Sequence, residues 1–382
     1  MKLVTINATI DPIKGGGTAE RTVQLARAWV KEGIDCSILS TNIGLQDAYL
    51  SSFKSENLKV YVLPILNKKF YLPIPKLGIV RKLITESDIV HIMGHWTFIN
   101  AIAYYYAKKL RKPYAVCPAG ALPVYDFGRS KMLKKIFNKL VGKAIIRNAN
   151  FHIAVGDNEY SHYAEYGIPA GKIKIIRNGV TPGDYETADG SAFRNFLGIG
   201  DSPYILFMGR INSIKGPDIL LDAFIRIKSN FPEMHLVLAG PDGGMTRELK
   251  EITARESLES RVHFTGYLEG QMKISAYKAA SLLTVPSRQE AMSIVALEAG
   301  ICGVPVLITD QCGFADLTQI GGGKIVPVTE EDLAAGLCSL LNNRDLLAEM
   351  GKRFRAYIFE NYTWKASAKS YIKLFKEGLD NA

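Results

Sequence analysis

No two cysteines in this 382-residue chain are spaced C-x-x-C, and none of the five (Cys36, Cys117, Cys302, Cys312, Cys338) stands in a Cys/His cluster. That argues against a structural zinc and reads as small core residues in a reducing cytoplasm. Long apolar runs are scarce too. Phe98–Ala107 falls well short of the roughly 18 residues a spanning helix needs. The opening MKLVTINATI alternates like a first strand and lacks a cleavage site, so no signal peptide is expected. There is no G-x-G-x-x-G and no G-x4-G-K-[ST]. The strand candidate Cys36–Ser40 runs into Thr41-Asn42, with no acid to hold a ribose. Short repeats, low-complexity tracts and recognised nucleic-acid motifs are likewise missing.

What is present describes a large folded chain. Apolar residues make up 47%, enough for an ample core, and the length suggests two domains. Charge is unevenly placed. Residues 1–180 hold 26 Lys and Arg against 12 Asp and Glu, whereas the remainder holds 21 against 25. The overall net charge of +10 is therefore a property of the first half. An anionic partner is expected there: a membrane surface or a pyrophosphate-linked acceptor, not nucleic acid.

Strands and helices alternate throughout, the pattern of parallel βαβ layers. Strands are expected at Leu3–Thr9, Cys36–Ser40, Lys59–Leu63, Ile89–Met93, Tyr114–Cys117, Phe151–Val155 and Lys174–Ile176. Helices are expected at Thr18–Glu32, Thr97–Leu110 and Lys131–Arg147. The turn formers in IIRNGVTPGDY (Ile175–Tyr185) interrupt this series. It restarts with Tyr204–Met208, Pro217–Ser229, His235–Ala239, Arg261–Thr265 and Lys324–Pro327. A Lys-rich helix from Thr363 closes the chain.

The most informative stretch is PSRQEAMSIVALEAGICGVPVLIT (Pro286–Thr309). Glu290 lies on a loop after the strand Leu282–Val285, and Glu298 lies inside the helix that follows. Both suit the crevice at the carboxyl end of a parallel sheet. Two carboxylates beside a sugar also fit a glycosidase, and a solvated helix residue with a loop charge is the bland alternative. Upstream, MGRINSIKG places Arg210 and Lys215 on a loop after a strand, a fork and a point charge suited to a diphosphate. Gly15-Gly16-Gly17, between a strand and a helix, lets phosphate approach backbone N–H groups.

Together these elements resemble the E-x7-E signature, the G-R-x4-K-G element and the first-domain glycine loop (GGTAERTVQLARAW) of the retaining GT-B glycosyltransferases of family 4. The resemblance covers essentially the whole chain. It implies an α/β fold of two Rossmann-like domains facing across a cleft. Residues 1–180 would form the acceptor-side domain, with helix 363–382 packing back onto it, and 181–362 the nucleotide-sugar-binding domain. The implied reaction moves a sugar from a nucleotide-diphosphate donor, UDP-linked by family frequency, to a glycan or lipid-linked acceptor. The carried-over roles are Glu290, Arg210 and Lys215 in catalysis. Gly16, Gly17, Arg210, Lys215 and the N–H groups of Ile294 and Val295 would bind donor phosphate. Glu290, Met292, Ser293 and His95 would meet the donor sugar. Glu298, Gly266 and Tyr267 would hold ribose and base, and Gly240–Asp242 would also frame the base. No metal or other cofactor is implied.

Two positions depart from the family pattern. Met93 stands where many members carry a second histidine, and Ala119 where they carry the histidine that touches the donor sugar. Hence a hydrolase or epimerase acting on nucleotide-sugars, or a non-catalytic sugar-nucleotide-binding protein, stays open as an alternative. In FGRSKMLKKIFNKLVGKAIIR, apolar residues Met132, Leu133, Ile136, Phe137, Leu140, Val141, Ala144 and Ile145 recur at helical spacing. Lys131, Lys134, Lys135 and Lys139 lie opposite. This suits a helix resting on anionic lipid, or one buried by its apolar face. The expectation is a cytoplasmic protein, peripheral on the inner face of the membrane.

Overall fold

The computed structural model describes residues 1–67, 72–73, 77–123, 130–186 and 188–380. Residues 127–129 of the basic segment and 381–382 of the helix expected over 363–382 lie outside that set. The chain divides into two compact units, Met1–Asn178 with Trp364–Ala382, and Gly179–Thr363.

The first unit is built on seven strands: β1 Lys2–Ile6, β2 Asp35–Thr41, β3 Lys59–Leu63, β4 Ile89–Met93, β5 Tyr114–Cys117, β6 Phe151–Ala154 and β7 Ile173–Ile175. All pair in parallel, in the order β3-β2-β1-β4-β5-β6-β7. The central strands β4 and β5 are buried along their whole length, as expected where helices cover both faces of a sheet. Their side chains join Val4, Ile6, Ile99, Ala103, Ile145 and Tyr163 in one core.

The second unit repeats the plan with β8 Tyr204–Met208, β9 His235–Ala239, β10 Val262–Gly266, β11 Leu282–Val285, β12 Val306–Thr309 and β13 Gly323–Val326, ordered β10-β9-β8-β11-β12-β13 and parallel throughout. In each unit the strand order reverses once, between β1 and β4 and between β8 and β11. Ligands bind open α/β sheets at such reversals, outside the carboxyl ends of the strands.

The closing helix Trp364–Asp380 belongs to the first unit. Its anchor is Arg21, 1% exposed, whose guanidinium donates to Asn178 Oδ1 (2.7 Å), the Ile176 carbonyl (2.7 Å) and Tyr371 Oη (3.0 Å). A buried guanidinium needs such acceptors, since leaving it unpaired costs several kcal/mol, on the order of 3–5. Trp29 and His91 pack edge-on against Tyr371 around it.

Three expected elements differ. β1 ends at Ile6; Asn7 N still donates to the Leu39 carbonyl (3.1 Å), and beyond the strand side chains hold the segment, Asn7 Nδ2 donating to Thr22 Oγ1 and Thr9 Oγ1 to the Ile43 carbonyl. Helix formation starts at Pro12, ahead of the glycines, because Asp11 caps it by accepting from Lys14 N at 2.6 Å. The break falls at Gly16 (φ 55°, ψ −138°), where a left-handed backbone favours glycine. Finally, Lys131–Arg147 is not one α-helix. It runs as Ser130–Phe137, a π turn over Asn138–Gly142, then Lys143–Arg147.

Candidate functional site

At the reversal in the second unit, the loop after β8 and the loop after β11 are fastened together. Arg288 N donates to the Ile214 carbonyl (2.8 Å). Its guanidinium donates to the Ser213 carbonyl (2.6 Å) and, through both Nη atoms, to the Asp218 carboxylate (2.9 and 2.6 Å). Gly216 completes the junction. It has φ +68°, and a Cβ there would lie 2.0 Å from the Pro286 carbonyl oxygen. Only glycine fits, and Pro217 then opens the helix Pro217–Ile227 at its first position. The residue just before this junction is Lys215, whose Nζ donates to Glu290 Oε2.

Glu290 is fixed from its other side. Its N–H donates to the Gln311 carbonyl (3.1 Å) and its carbonyl accepts from Gly313 N (3.2 Å), which ties the loop after β11 to the loop after β12. Burial, then the Glu290 charge, pushes the adjacent Cys312 thiol up to about 12. Three residues beyond Glu290, Ser293 caps the helix Ile294–Ile301 by accepting from Ala296 N at 3.3 Å. The N–H groups of that helix's first turn are suited to an anion. Arg210 opens the β8 loop, its Cγ passing over Gly243 on the loop after β9.

Glu298, 2% exposed, sits in that helix as a hydrogen-bond hub. It accepts from Lys273 Nζ (2.6 Å) and Tyr185 Oη (3.1 Å) on Oε1, and from Tyr277 Oη (2.7 Å) on Oε2. Burial and the neighbouring carboxylate hold the Tyr277 phenol well above its usual range, so it stays a donor. Gly266 (φ +73°) ends β10 and accepts from Gly240 N (2.8 Å), while Tyr267 is 38% exposed.

Several expected contacts are therefore redirected. Met292 and Ser293 are 2% and 1% exposed, and the Ser293 hydroxyl accepts from the Ala296 N–H of its own helix. His95, in the first unit, is 1% exposed and enclosed by Trp96, Phe137 and Tyr166, with Nε2 against Asn138 Oδ1 at 3.1 Å. It is a core histidine, held down to about 4 by burial. Gly16 and Gly17 lie at the kink of the Pro12–Lys31 helix, and Gly17 is exposed. Met93 is buried. Ala119 takes a left-handed φ of 49° in a turn whose next N–H, that of Gly120, is bound by buried Glu159 (2.7 Å).

Sequence reasoning missed Arg288, Asp218, Lys273, Tyr277 and Tyr185. Lys273 and Tyr277 carry a usable signal, four apart on the helix Gly270–Ala279 and so on one face. Tyr185 carries none. Among the described residues no group of three or more His, Cys, Asp or Glu could hold a metal ion.

Comparison with known proteins places this geometry. Residues 191–357 match the family described as glycosyl transferases group 1, and residues 15–183 match glycosyltransferase family 4. The D-inositol 3-phosphate glycosyltransferase of Nocardia farcinica is 30% identical over 311 residues, 78% of this chain and 68% of that one. An uncharacterized glycosyltransferase of Methanocaldococcus jannaschii is 27% identical over 222 residues, 56% of each chain. Anabaena HepE, solved with UDP and glucose, superposes with a TM-score of 0.82 at 19% identity, covering 99% of this chain and 100% of that one. The fold is GT-B, two Rossmann-like units each with its own parallel sheet. The chain belongs to glycosyltransferase family 4.

Proposed function

We propose that this glycosyltransferase moves a sugar from a nucleoside-diphosphate donor, UDP-linked, to a glycan or lipid-linked acceptor with retention at the anomeric carbon. One observation carries the reading: Lys215 and Glu290 meet at the sheet reversal, a cation for departing phosphate beside a carboxylate for the sugar. In this reading Arg210, Lys215 and the Ile294 and Val295 N–H groups neutralise charge that builds on the diphosphate. Glu290 holds sugar hydroxyls and steadies positive charge at the ring. The acceptor oxygen bonds to the anomeric carbon as the carbon–phosphate-oxygen bond breaks. That bond's electrons pass to the diphosphate, whose oxygen takes the acceptor's proton on the same face. Protein cations take the place of a metal ion. Glu298 receives the ribose, and Gly240–Asp242 with Gly266 and Tyr267 frame the base.

The acceptor's setting is read from the first unit. Met132, Leu133, Ile136 and Leu140 are 70%, 49%, 44% and 78% exposed, and Lys135, Lys139 and Lys143 are exposed beside them. No helix among the described residues is long and apolar enough to cross a membrane. We therefore place the protein on an anionic bilayer surface. Its five unpaired thiols suit the cytoplasmic side.

Transfer from a UDP-sugar tests the reaction. Lys215→Ala and Glu290→Gln are each expected to lower kcat by roughly a hundredfold or more, the scale of losing one transition-state charge contact, with Tm little changed. EDTA should leave the rate unaltered, and NMR of the product should show the donor's anomeric configuration. Wild-type rates in either variant remove that residue from the mechanism. Rapid sugar release or epimer formation without acceptor supports the hydrolase or epimerase instead.

A further inference from the structure

Glu298 is nearly closed off, and one of the three groups that close it is bonded at a greater distance than the others. A carboxylate offers about four acceptor directions, two per oxygen. Lys273 and Tyr185 fill both on Oε1, and Tyr277 takes one on Oε2. The protein thus uses three of the four, on a side chain only 2% exposed. A ribose brings two neighbouring hydroxyls and needs two directions, so one protein donor must yield. Tyr277 is fully buried, and its helix would have to unpack to release it. Lys273 is charged and bonded at 2.6 Å, the stronger class of hydrogen bond. Tyr185 is neutral, half-buried and bonded at 3.1 Å, the longest of the three bonds, and it ends a four-residue 3-10 turn, Pro182–Tyr185.

We propose that the Tyr185 hydroxyl holds the place of a ribose hydroxyl on Glu298 and is displaced when a nucleoside diphosphate binds. Tyr185 is then a positioning residue that sets nucleotide affinity. Its bond to Glu298 keeps the carboxylate oriented and must be exchanged for a ligand bond of the same kind. This rests on the reading of Glu298 as the ribose acceptor.

Calorimetric titration separates the two ideas. The probe is whichever of UDP, GDP and ADP the wild type binds tightest, alongside its 2′,3′-dideoxy analogue. Tyr185→Phe keeps the ring and removes only the competing hydroxyl. It is expected to bind the ribonucleotide about three- to tenfold tighter, the equivalent of one ordinary hydrogen bond, and the dideoxy analogue no tighter. Unchanged or weaker ribonucleotide binding overturns the proposal, and so does an equal gain for both ligands. A wild type that binds none of the three, or does not distinguish ribose from dideoxyribose, overturns the ribose reading of Glu298 and this proposal with it. A second measurement needs no variant. Amide hydrogen exchange at Gly183–Glu186 of the wild type should speed up when the ribonucleotide is added, and unchanged or slower exchange there overturns the displacement.

Discussion

All six histidines of the chain share one electrostatic fate. Loss of solvation is the largest influence on each, and it lowers the pKa of His91 to about 3 and His95 to about 4, with His152, His162, His235 and His263 also lowered. The unfolded chain takes up these protons near pH 6.5, and the folded one only at lower pH. Their contribution is therefore complete above about 6.5 and is lost as pH falls. The window runs down to about 3 for His91 and about 4 for His95. His91 and His95, both fully enclosed, can each contribute up to about 1.4 kcal/mol per pH unit within its window. Urea midpoints should accordingly drop between about pH 7 and pH 5, and His95→Gln should flatten part of that slope. A midpoint independent of pH over this range would show that the histidines are not buried as described. His95 also marks where residue-level reading stopped. The residue stood out in the sequence, but the rings of Phe137 and Tyr166 that enclose it come from distant stretches. The same limit hid Tyr185, whose partner Glu298 is brought to it only by the fold.

Glycines set the geometry of individual elements, and two with nearly equal φ make a controlled comparison. Gly216 (φ +68°) presses on the Pro286 carbonyl, whereas Gly198 (φ +67°) ends the helix Ser191–Leu197 where an added methyl would meet nothing within 4 Å. Gly198→Ala should cost only the left-handed backbone strain, about 1 kcal/mol, and leave transfer rates unaltered. Gly216→Ala adds a clash with backbone. It should cost more stability and lower kcat at least tenfold by driving Lys215 away from Glu290. Equal effects of the two on kcat would deny that the junction positions the lysine. The strand Ile89–Met93 was legible to the residue because a buried parallel strand reads as a continuous apolar run. The helices Leu77–Glu86, Glu330–Leu341 and Arg344–Asn361 are absent from the expected elements, although Thr329 and Asn343 stand as visible caps before the last two. The π turn at Asn138–Gly142 was not legible at all. Asn138 Nδ2 donates to Tyr166 Oη (2.9 Å) and its Oδ1 meets His95, so tertiary bonds override the helical repeat there.

That local override has a consequence at the scale of the molecule. An unbroken helix over Lys131–Arg147 would gather its apolar residues on one stripe. Instead Phe137 and Val141 pack against the first unit's core, while Met132, Leu133, Ile136 and Leu140 stay exposed. Lys134 does not join the outward lysines either. Its Nζ lies 5.2 Å from the Trp96 ring centre, and burial lowers its pKa. What faces outward is an apolar ridge edged by Lys135, Lys139 and Lys143, on the half of the chain that holds the positive surplus. Lysines near an anionic surface contribute about 1 kcal/mol each and are screened by salt, whereas inserted apolar side chains are not. The two contributions can be separated by cosedimentation with vesicles. Wild-type protein should pellet with phosphatidylserine-containing vesicles and remain free with neutral ones. Lys135→Glu, Lys139→Glu and Lys143→Glu together should release it at low salt, by roughly a hundredfold or more in affinity given that each reversal removes one attraction and adds a repulsion. Met132→Ser with Leu140→Ser should weaken binding while leaving its salt dependence intact. Pelleting unaffected by either set would mean that another surface meets the membrane. No pelleting of the wild type would mean that the ridge is not a lipid contact.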